Sequence, residues 1–242
     1  MTGGSARAIV FDLFHTLVDP EEFRPPAFRR VNELARILNL PLARFETMWD
    51  ADAGARQVTL KPTVLERVQE ICRDFGVSPA PEVWPQVDDI LGRYTDRAIL
   101  NPHRNVVLTL EHLKGAGWTI GLLSNCDERE KRSWASSALA PLFDGVAFSC
   151  EIGFAKPSVE AYRSLIPRWG GIPLESALFV GDGANDELAG ARRAGFSKVV
   201  FQSGFVSVNG LRPAAANERL RNEADLTVNG IEELIDLVPG PA

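Results

Sequence analysis

Cysteine is scarce in this chain: Cys72, Cys126 and Cys150 are odd in number and far apart over 242 residues. That spacing excludes a disulfide framework and suits reduced thiols. Histidine is equally scarce, and none of the three stands within metal-ligand spacing of another. With no Cys-x-x-Cys either, a structural zinc site is excluded. Long apolar runs are missing. Nothing approaches the ~20 residues that a membrane helix needs. The opening Met1-Thr2-Gly3-Gly4-Ser5-Ala6-Arg7 has no signal-peptide core, so a cytoplasmic protein is expected. Positive charge is in deficit. A net charge of −6 argues against nucleic acid or an anionic membrane as the main partner. Internal repeats and low-complexity linkers are also lacking, and nothing in the sequence specifies an oligomeric state.

What is present is an ordinary globular composition, 45% hydrophobic and 24% charged, in a chain long enough for one large domain or a domain with an insert. The organising stretch is Ala8-Ile9-Val10-Phe11-Asp12-Leu13-Phe14-His15-Thr16-Leu17. Its continuous apolar start reads as a strand buried on both faces. Asp12 stands where that strand ends, and parallel α/β sheets bind ligands at the carboxyl ends of their strands. A carboxylate there is costly unless a cation or hydrogen-bond donors meet it. A plain turn-capping aspartate is the alternative at this point.

From Pro20 to about Leu100 the periods are helical. Ala27, Phe28, Val31, Leu34, Ala35 and Leu38 share one face; Val64, Leu65, Val68, Ile71, Cys72 and Phe75 share another. A third face holds Val87, Ile90, Leu91, Tyr94 and Ala98, with a weaker helix over Leu42–Asp52 and a connection from Gly54 to Pro62. This predicts an all-helical insert, residues 19–100, in a core made of residues 1–18 and 101–242. After Asn101 strands and helices alternate. Strands are predicted at Trp118–Leu123, Val146–Ser149, Ala177–Gly181, Lys198–Phe201 and Asp225–Val228. Helices are predicted near Asp127–Leu139, Ser158–Trp169, Asp186–Ala194 and Ile231–Leu237, and Ser203–Glu218 as a long surface loop. The alternation implies α/β architecture: a doubly wound, Rossmann-like parallel sheet with right-handed crossovers.

Three strand ends are polar: Asp12, Ser124-Asn125, and Asp182-Gly183-Ala184-Asn185-Asp186, with Lys156 in a loop between the second and third. If the strands are neighbours, these groups converge. Clustered carboxylates repel unless a cation joins them, and oxygen donors suit a hard ion such as Mg²⁺. Ser124, adjacent backbone N–H groups and Lys156 suit a phosphoryl anion. Together they describe metal-assisted phosphoryl transfer. Each residue also has a plain structural reading: Asp182 as a turn aspartate, Asp186 and Ser124 as helix caps, Lys156 as a solvated loop lysine. The Asp182 stretch fails as an EF-hand, with Ala184 at its third position and Arg193 at its twelfth. It fails as a dinucleotide fingerprint because Asp186 stands where Gly is needed.

With those residues in view, the chain resembles the haloacid dehalogenase superfamily. Asp12 in Phe11-Asp12-Leu13-Phe14-His15-Thr16 matches the nucleophile loop, Leu122-Leu123-Ser124-Asn125 the second motif, Gly153-Phe154-Ala155-Lys156-Pro157 the third, and Gly181-Asp182-Gly183-Ala184-Asn185-Asp186 the acidic fourth. The resemblance covers the whole chain, because members carry a helical cap inserted after the first motif. It implies that Asp12 forms an aspartyl-phosphate or aspartyl-ester intermediate that water hydrolyses. It further implies that Ser124, Asn125 and Lys156 hold phosphate, and that Mg²⁺ is held by Asp12, the Phe14 carbonyl, Asp182 and Asp186. The partner implied is a small phosphorylated substrate.

The pattern departs at Phe14, where phosphatases of this type carry a second aspartate that protonates the leaving oxygen. Haloacid dehalogenases and phosphonoacetaldehyde hydrolases lack that acid, so carbon–halogen and carbon–phosphorus cleavage are alternatives, as is a catalytically weak binding module. The dehalogenases also lack an aspartate at the place of Asp182, which favours phosphate chemistry. His15 is a candidate replacement donor, with a plain loop histidine as the alternative. Arg56 and Lys61 in the insert are candidate substrate contacts or ordinary surface charges.

Overall fold

In the computed structural model, which describes residues 7–237, the first strand, β1 (Ala8–Phe11), is fully buried along its length. Five helices make up the segment that follows: α1 (Arg30–Ile37), α2 (Leu42–Ala51), α3 (Ala53–Arg56), α4 (Val64–Asp74) and α5 (Trp84–Leu100). These helices have their own apolar cluster, with Leu34, Phe45, Val68, Val87 and Leu91 at its centre. The start of α4 is set locally: Thr63 and Glu66 form a reciprocal capping box, after which Val64, Val68, Ile71 and Cys72 turn inward. Residues 54–62, predicted as connection, begin with the short α3.

The sheet then grows on both sides of β1. After α6 (Arg104–Gly115) come β2 (Thr119–Ser124), β3 (Gly145–Phe148), α7 (Ser149–Ile152), α8 (Val159–Arg163), β4 (Ala177–Gly181) and α9 (Glu187–Ala194). The last part holds β5 (Lys198–Gln202), α10 (Gly204–Val208), α11 (Ala214–Glu223), β6 (Leu226–Val228) and α12 (Leu234–Leu237). All pairings are parallel, in the order β3-β2-β1-β4-β5-β6. This is the doubly wound arrangement, with its switch point between β1 and β4. Side chains alternate across the sheet. Ile9, Phe11, Ile120, Leu122 and Val180 join one apolar layer, and Ala8, Val10, Leu123 and Phe179 join the other. Both faces are therefore covered, as a parallel sheet requires. No helix among the described residues is long and apolar enough to cross a membrane.

Three predicted segments differ. The helix expected over Asp127–Leu139 is mostly turns with short 3₁₀ pieces, because its side chains are committed to α5. The Arg129 guanidinium donates to Asp96 at 2.7 Å and lies against Gly92, while Arg132 pairs with Asp88 at 2.6 Å. The helix expected over Ser158–Trp169 breaks after α8, where Pro167 enters a 3₁₀ turn. The loop expected over Ser203–Glu218 contains α10 and the start of α11. Gly210 at φ +60° ends the first, and Pro213 with the Ala214-Ala215-Ala216 run starts the second.

Close helix packing brings α9 under the sheet's carboxyl edge. A β-carbon at Gly190 would lie 2.6 Å from the Tyr162 hydroxyl and 2.7 Å from Pro157 Cβ, too near for either buried neighbour to yield cheaply. Gly190→Ala should cost about 1–3 kcal/mol by overpacking, read from the shift in urea midpoint. An unchanged midpoint would show that α9 can move away from Pro157 freely.

Candidate active site

At the switch point, β1 and β4 end just before Asp12 and Asp182 respectively, so two carboxylates flank one crevice. Glu187, the first residue of α9, adds a third: carboxylate oxygens of Asp12, Asp182 and Glu187 lie within 4.8 Å of one another, and all three residues are buried. The Lys156 ammonium sits between two of them, donating to Asp12 Oδ1 and, at 2.6 Å, to Glu187 Oε2. The Thr16 hydroxyl donates to Asp12 Oδ2 at 3.1 Å. A cavity of about 150 Å³ opens here, lined by Asp12, Phe14, His15, Asn125, Lys156, Asp182, Ala184, Asn185 and Glu187.

The electrostatics follow from burial. Desolvation raises the Asp12 pKa above its ordinary 3.8; Lys156 opposes the rise and the neighbouring Asp182 charge adds to it. Burial pushes Glu187 up strongly, again against Lys156 and with Asp12 and Asp182. Burial alone would lower the Lys156 pKa, but the two facing carboxylates outweigh it and the ammonium is held charged. Three hard oxygen donors in one small buried cluster fit a divalent cation of the Mg²⁺ type.

Most of the sequence-predicted residues come together here. Ser124, the last residue of β2, is fully buried and is not among the residues that line the cavity; its hydroxyl has no partner among the described residues. Asn125 lines the cavity, but its amide is engaged with the Lys156 backbone. It donates to the Lys156 carbonyl and accepts from the Lys156 N–H, both at 2.8 Å, and so fixes the loop that carries the lysine. Phe14 and His15 line the cavity; His15 is in the left-handed region at φ 57°, a conformation histidine tolerates better than most residues. Among the described residues its Nδ1 lacks a hydrogen-bond partner; it lies 3.8 Å from Asp19 Oδ1.

Three residues stand elsewhere. Asp186 is exposed, its carboxylate 3.9 Å from Arg219. Asn185 and Asp186 are both left-handed, at φ 52° and 53°, and this double turn sends Asp186 outward and Glu187 inward. Lys61 is 72% exposed and pairs with Glu66. Arg56 is buried in the helical segment, stacked 4.1 Å over the Trp49 ring and outside the cavity; burial lowers its pKa.

Sequence reasoning missed Glu187 and Arg212. Glu187 is anchored by the Gly183 N–H at 2.8 Å, and Tyr162 donates to its carbonyl at 2.7 Å. Arg212 donates to the Asp182 carbonyl and, at 2.7 Å, to Asp182 Oδ2. No sequence pattern pointed to it.

A carboxylate-centred site at the switch point of a doubly wound sheet defines an α/β enzyme. The chain belongs to the haloacid dehalogenase-like hydrolase family, whose model matches residues 6–195. It is 27% identical to the glyceraldehyde 3-phosphate phosphatase of Methanothermobacter thermautotrophicus over 205 residues, 81% of this chain and 86% of that relative. It is 25% identical to the (S)-2-haloacid dehalogenase of Pseudomonas putida over 243 residues, 93% and 98% of the two chains. A solved HAD phosphatase from Thermococcus onnurineus shares the fold at TM-score 0.64 and 20% identity, over 97% of this chain and 98% of that one.

The raised Asp12 pKa has a stability consequence. The folded protein holds that proton more tightly than the unfolded chain does. The associated stabilisation is complete below pH 3.8 and is lost as pH rises through the folded-state value. Asp12→Asn, whose amide can still meet Lys156 and Thr16, should therefore equal or exceed wild-type stability in metal-free protein at neutral pH. The difference should vanish in acid. Urea unfolding across that range checks it; a less stable variant at neutral pH would show that Lys156 outweighs desolvation.

Proposed function

We propose that this hydrolase is a Mg²⁺-dependent phosphatase of a small phosphorylated metabolite, working in the cytoplasm through an aspartyl-phosphate on Asp12. The observation that carries the reading is the buried cluster of Asp12, Asp182 and Glu187 with an ammonium between two of its members. The relative named as a glyceraldehyde 3-phosphate phosphatase supports the substrate class.

An Asp12 carboxylate oxygen attacks phosphorus, forming an Oδ–P bond as the P–O bond to the ester oxygen breaks; water then attacks phosphorus, the Oδ–P bond breaks, and inorganic phosphate leaves with the carboxylate restored. Lys156 opposes the desolvation that raises the Asp12 pKa, so favouring the attacking carboxylate, and offsets charge on the transferred group. The Ser124 hydroxyl, which has no partner among the described residues, takes a phosphoryl oxygen. Mg²⁺, held by Asp12, Asp182, Glu187 and the Phe14 carbonyl, would neutralise charge on the phosphoryl oxygens. The exposed Asp186 has no place in that set. Residues 19–100 act as a cap over the crevice, and residues 1–18 and 101–242 as the catalytic core.

A second reading has one observation behind it. Phe14 fills the general-acid position and lines the cavity, as suits metal-free carbon–halogen hydrolysis, and a relative is named as a haloacid dehalogenase. The carbon–phosphorus alternative loses support, because it needs a lysine in the insert facing the substrate, whereas Lys61 is on the surface.

Phosphate release from p-nitrophenyl phosphate that needs Mg²⁺, stops with EDTA and is abolished in Asp12→Asn is the expected result. Chloroacetate turnover insensitive to EDTA would establish the second reading instead. Asp182→Ala should weaken Mg²⁺ binding strongly.

Phe14 sets a further expectation. A positioned general acid contributes ~10²–10⁴-fold, most where the leaving group is a poor one. Acyl and aryl phosphates should turn over much faster than alkyl phosphates such as glyceraldehyde 3-phosphate. Phe14→Asp should narrow that gap. Similar wild-type rates on both classes would point to a substitute donor, and selective loss of alkyl phosphate turnover in His15→Ala would identify it.

A further inference from the structure

Asp182 has a cation of its own. Lys156 divides its hydrogen bonds between Asp12 and Glu187, and among the described residues the ion pair of Asp182 is with Arg212. That arginine lies between α10 and α11, beyond the residues matched by the family model. Its guanidinium grips Asp182 twice, at the backbone carbonyl and at Oδ2, while the Ala184 N–H donates to Oδ1 at 3.0 Å. Every oxygen of Asp182 thus has a donor. The carboxylate is 2% exposed and the arginine side chain 20%, so the pair is sheltered from solvent screening.

We propose that Arg212 is the resident counter-charge of Asp182 and competes with a divalent cation for that carboxylate. The inference rests on reading Asp12, Asp182 and Glu187 as a Mg²⁺ site. With all three carboxylates ionised, as a bound cation would have them, Lys156 alone would leave a buried excess of two negative charges; Arg212 halves it. A cation that enters must share Asp182 with a guanidinium, and like charges a few Å apart in a sheltered site repel strongly. Arg212 therefore stabilises the metal-free protein and lowers its affinity for metal. The segment does not depend on Arg212 for its position. Leu220 of α11 packs against Gly183, where a β-carbon would lie 2.7 Å from Leu220 Cδ1, and Asn209 donates to Asp19 at 2.7 Å.

The test compares wild type, Arg212→Met and Arg212→Lys by calorimetric Mg²⁺ titration and by thermal unfolding with and without Mg²⁺. Arg221→Met, on the exposed side of α11, serves as control. Arg212→Met should melt lower than wild type without metal, bind Mg²⁺ at least about 10-fold more tightly, and gain more in Tm on Mg²⁺ addition than wild type gains. Arg212→Lys keeps the charge and should stay close to wild type in affinity; the control should match wild type throughout. A purely structural arginine would lower both melting temperatures equally and leave Mg²⁺ affinity unchanged. That result, or weaker binding in Arg212→Met, overturns the proposal while leaving the Mg²⁺ site standing. Binding by Arg212→Met but not by wild type supports the proposal and removes Mg²⁺ from the wild-type reading. Binding by neither protein overturns both.

Discussion

The Lys156 ammonium is the charge on which the rest of the site depends. It is buried and bonded to two buried carboxylates from different parts of the chain, one at the end of β1 and one at the start of α9. Removing one partner of a buried ion pair typically costs about 3–5 kcal/mol, because the other charge stays behind uncompensated. The surrounding structure accordingly holds the lysine by its backbone as well. Asn125, just past β2, takes both the N–H and the carbonyl of Lys156, and the following Pro157 packs against Gly190 of α9. The ends of β1, β2 and β4 are thereby tied to one residue in the loop after β3, and the sheet order that makes β1 and β4 neighbours brings both carboxylates within reach of its ammonium.

The legible part of this site was the part written in strand ends. Buried apolar runs that stop at Asp12, Ser124 and Asp182 locate the carboxyl edge of a parallel sheet without any tertiary information, and the doubly wound order follows from the alternation. Lys156 was legible only by its company with those residues. The third acid was not. Asp186 and Glu187 are adjacent, equally acidic and equally near a helix start, and the choice between them is made by two left-handed residues that leave no clear trace in composition. Asparagine and aspartate tolerate that conformation better than most residues, which is the physical reason that the Asn185-Asp186 pair can make this turn. Arg212 was hidden differently. Its segment has no long apolar period, and a single arginine in such a stretch looks like any surface charge.

The segment after β2 shows a related failure of local reasoning. Its sequence suits a helix, yet Arg129 and Arg132 instead reach across to α5, where Asp88 and Asp96 flank Gly92 on one face. The glycine matters here: a β-carbon at that position would overlap the Arg129 guanidinium. Burial and the Glu130 charge push the carboxyl of Asp127, in the same segment, up to about 7. Charged tertiary contacts override helix propensity. In doing so they join the helical insert to the residues that directly follow Ser124 and Asn125, so the placement of the insert and the shape of that loop are mechanically continuous.

None of the cavity-lining residues comes from the helical insert, and the cavity, at about 150 Å³, is well below the ~300–1,000 Å³ of a typical small-molecule pocket. A phosphoryl group and a few further atoms fill such a space. Under the proposed chemistry, contacts to the far end of a substrate therefore have little part in discrimination while the insert stays in this position, and the leaving group's own stability governs which substrates react. Under the proposed chemistry Phe14 acts in the same direction, since a residue with no proton to give stands at the general-acid position beside the cavity. Small cavity and missing acid are separate observations, one from the shape of the site and one from a single residue. Under the proposed chemistry both favour the same class of substrate: compact phosphates whose leaving groups need no proton.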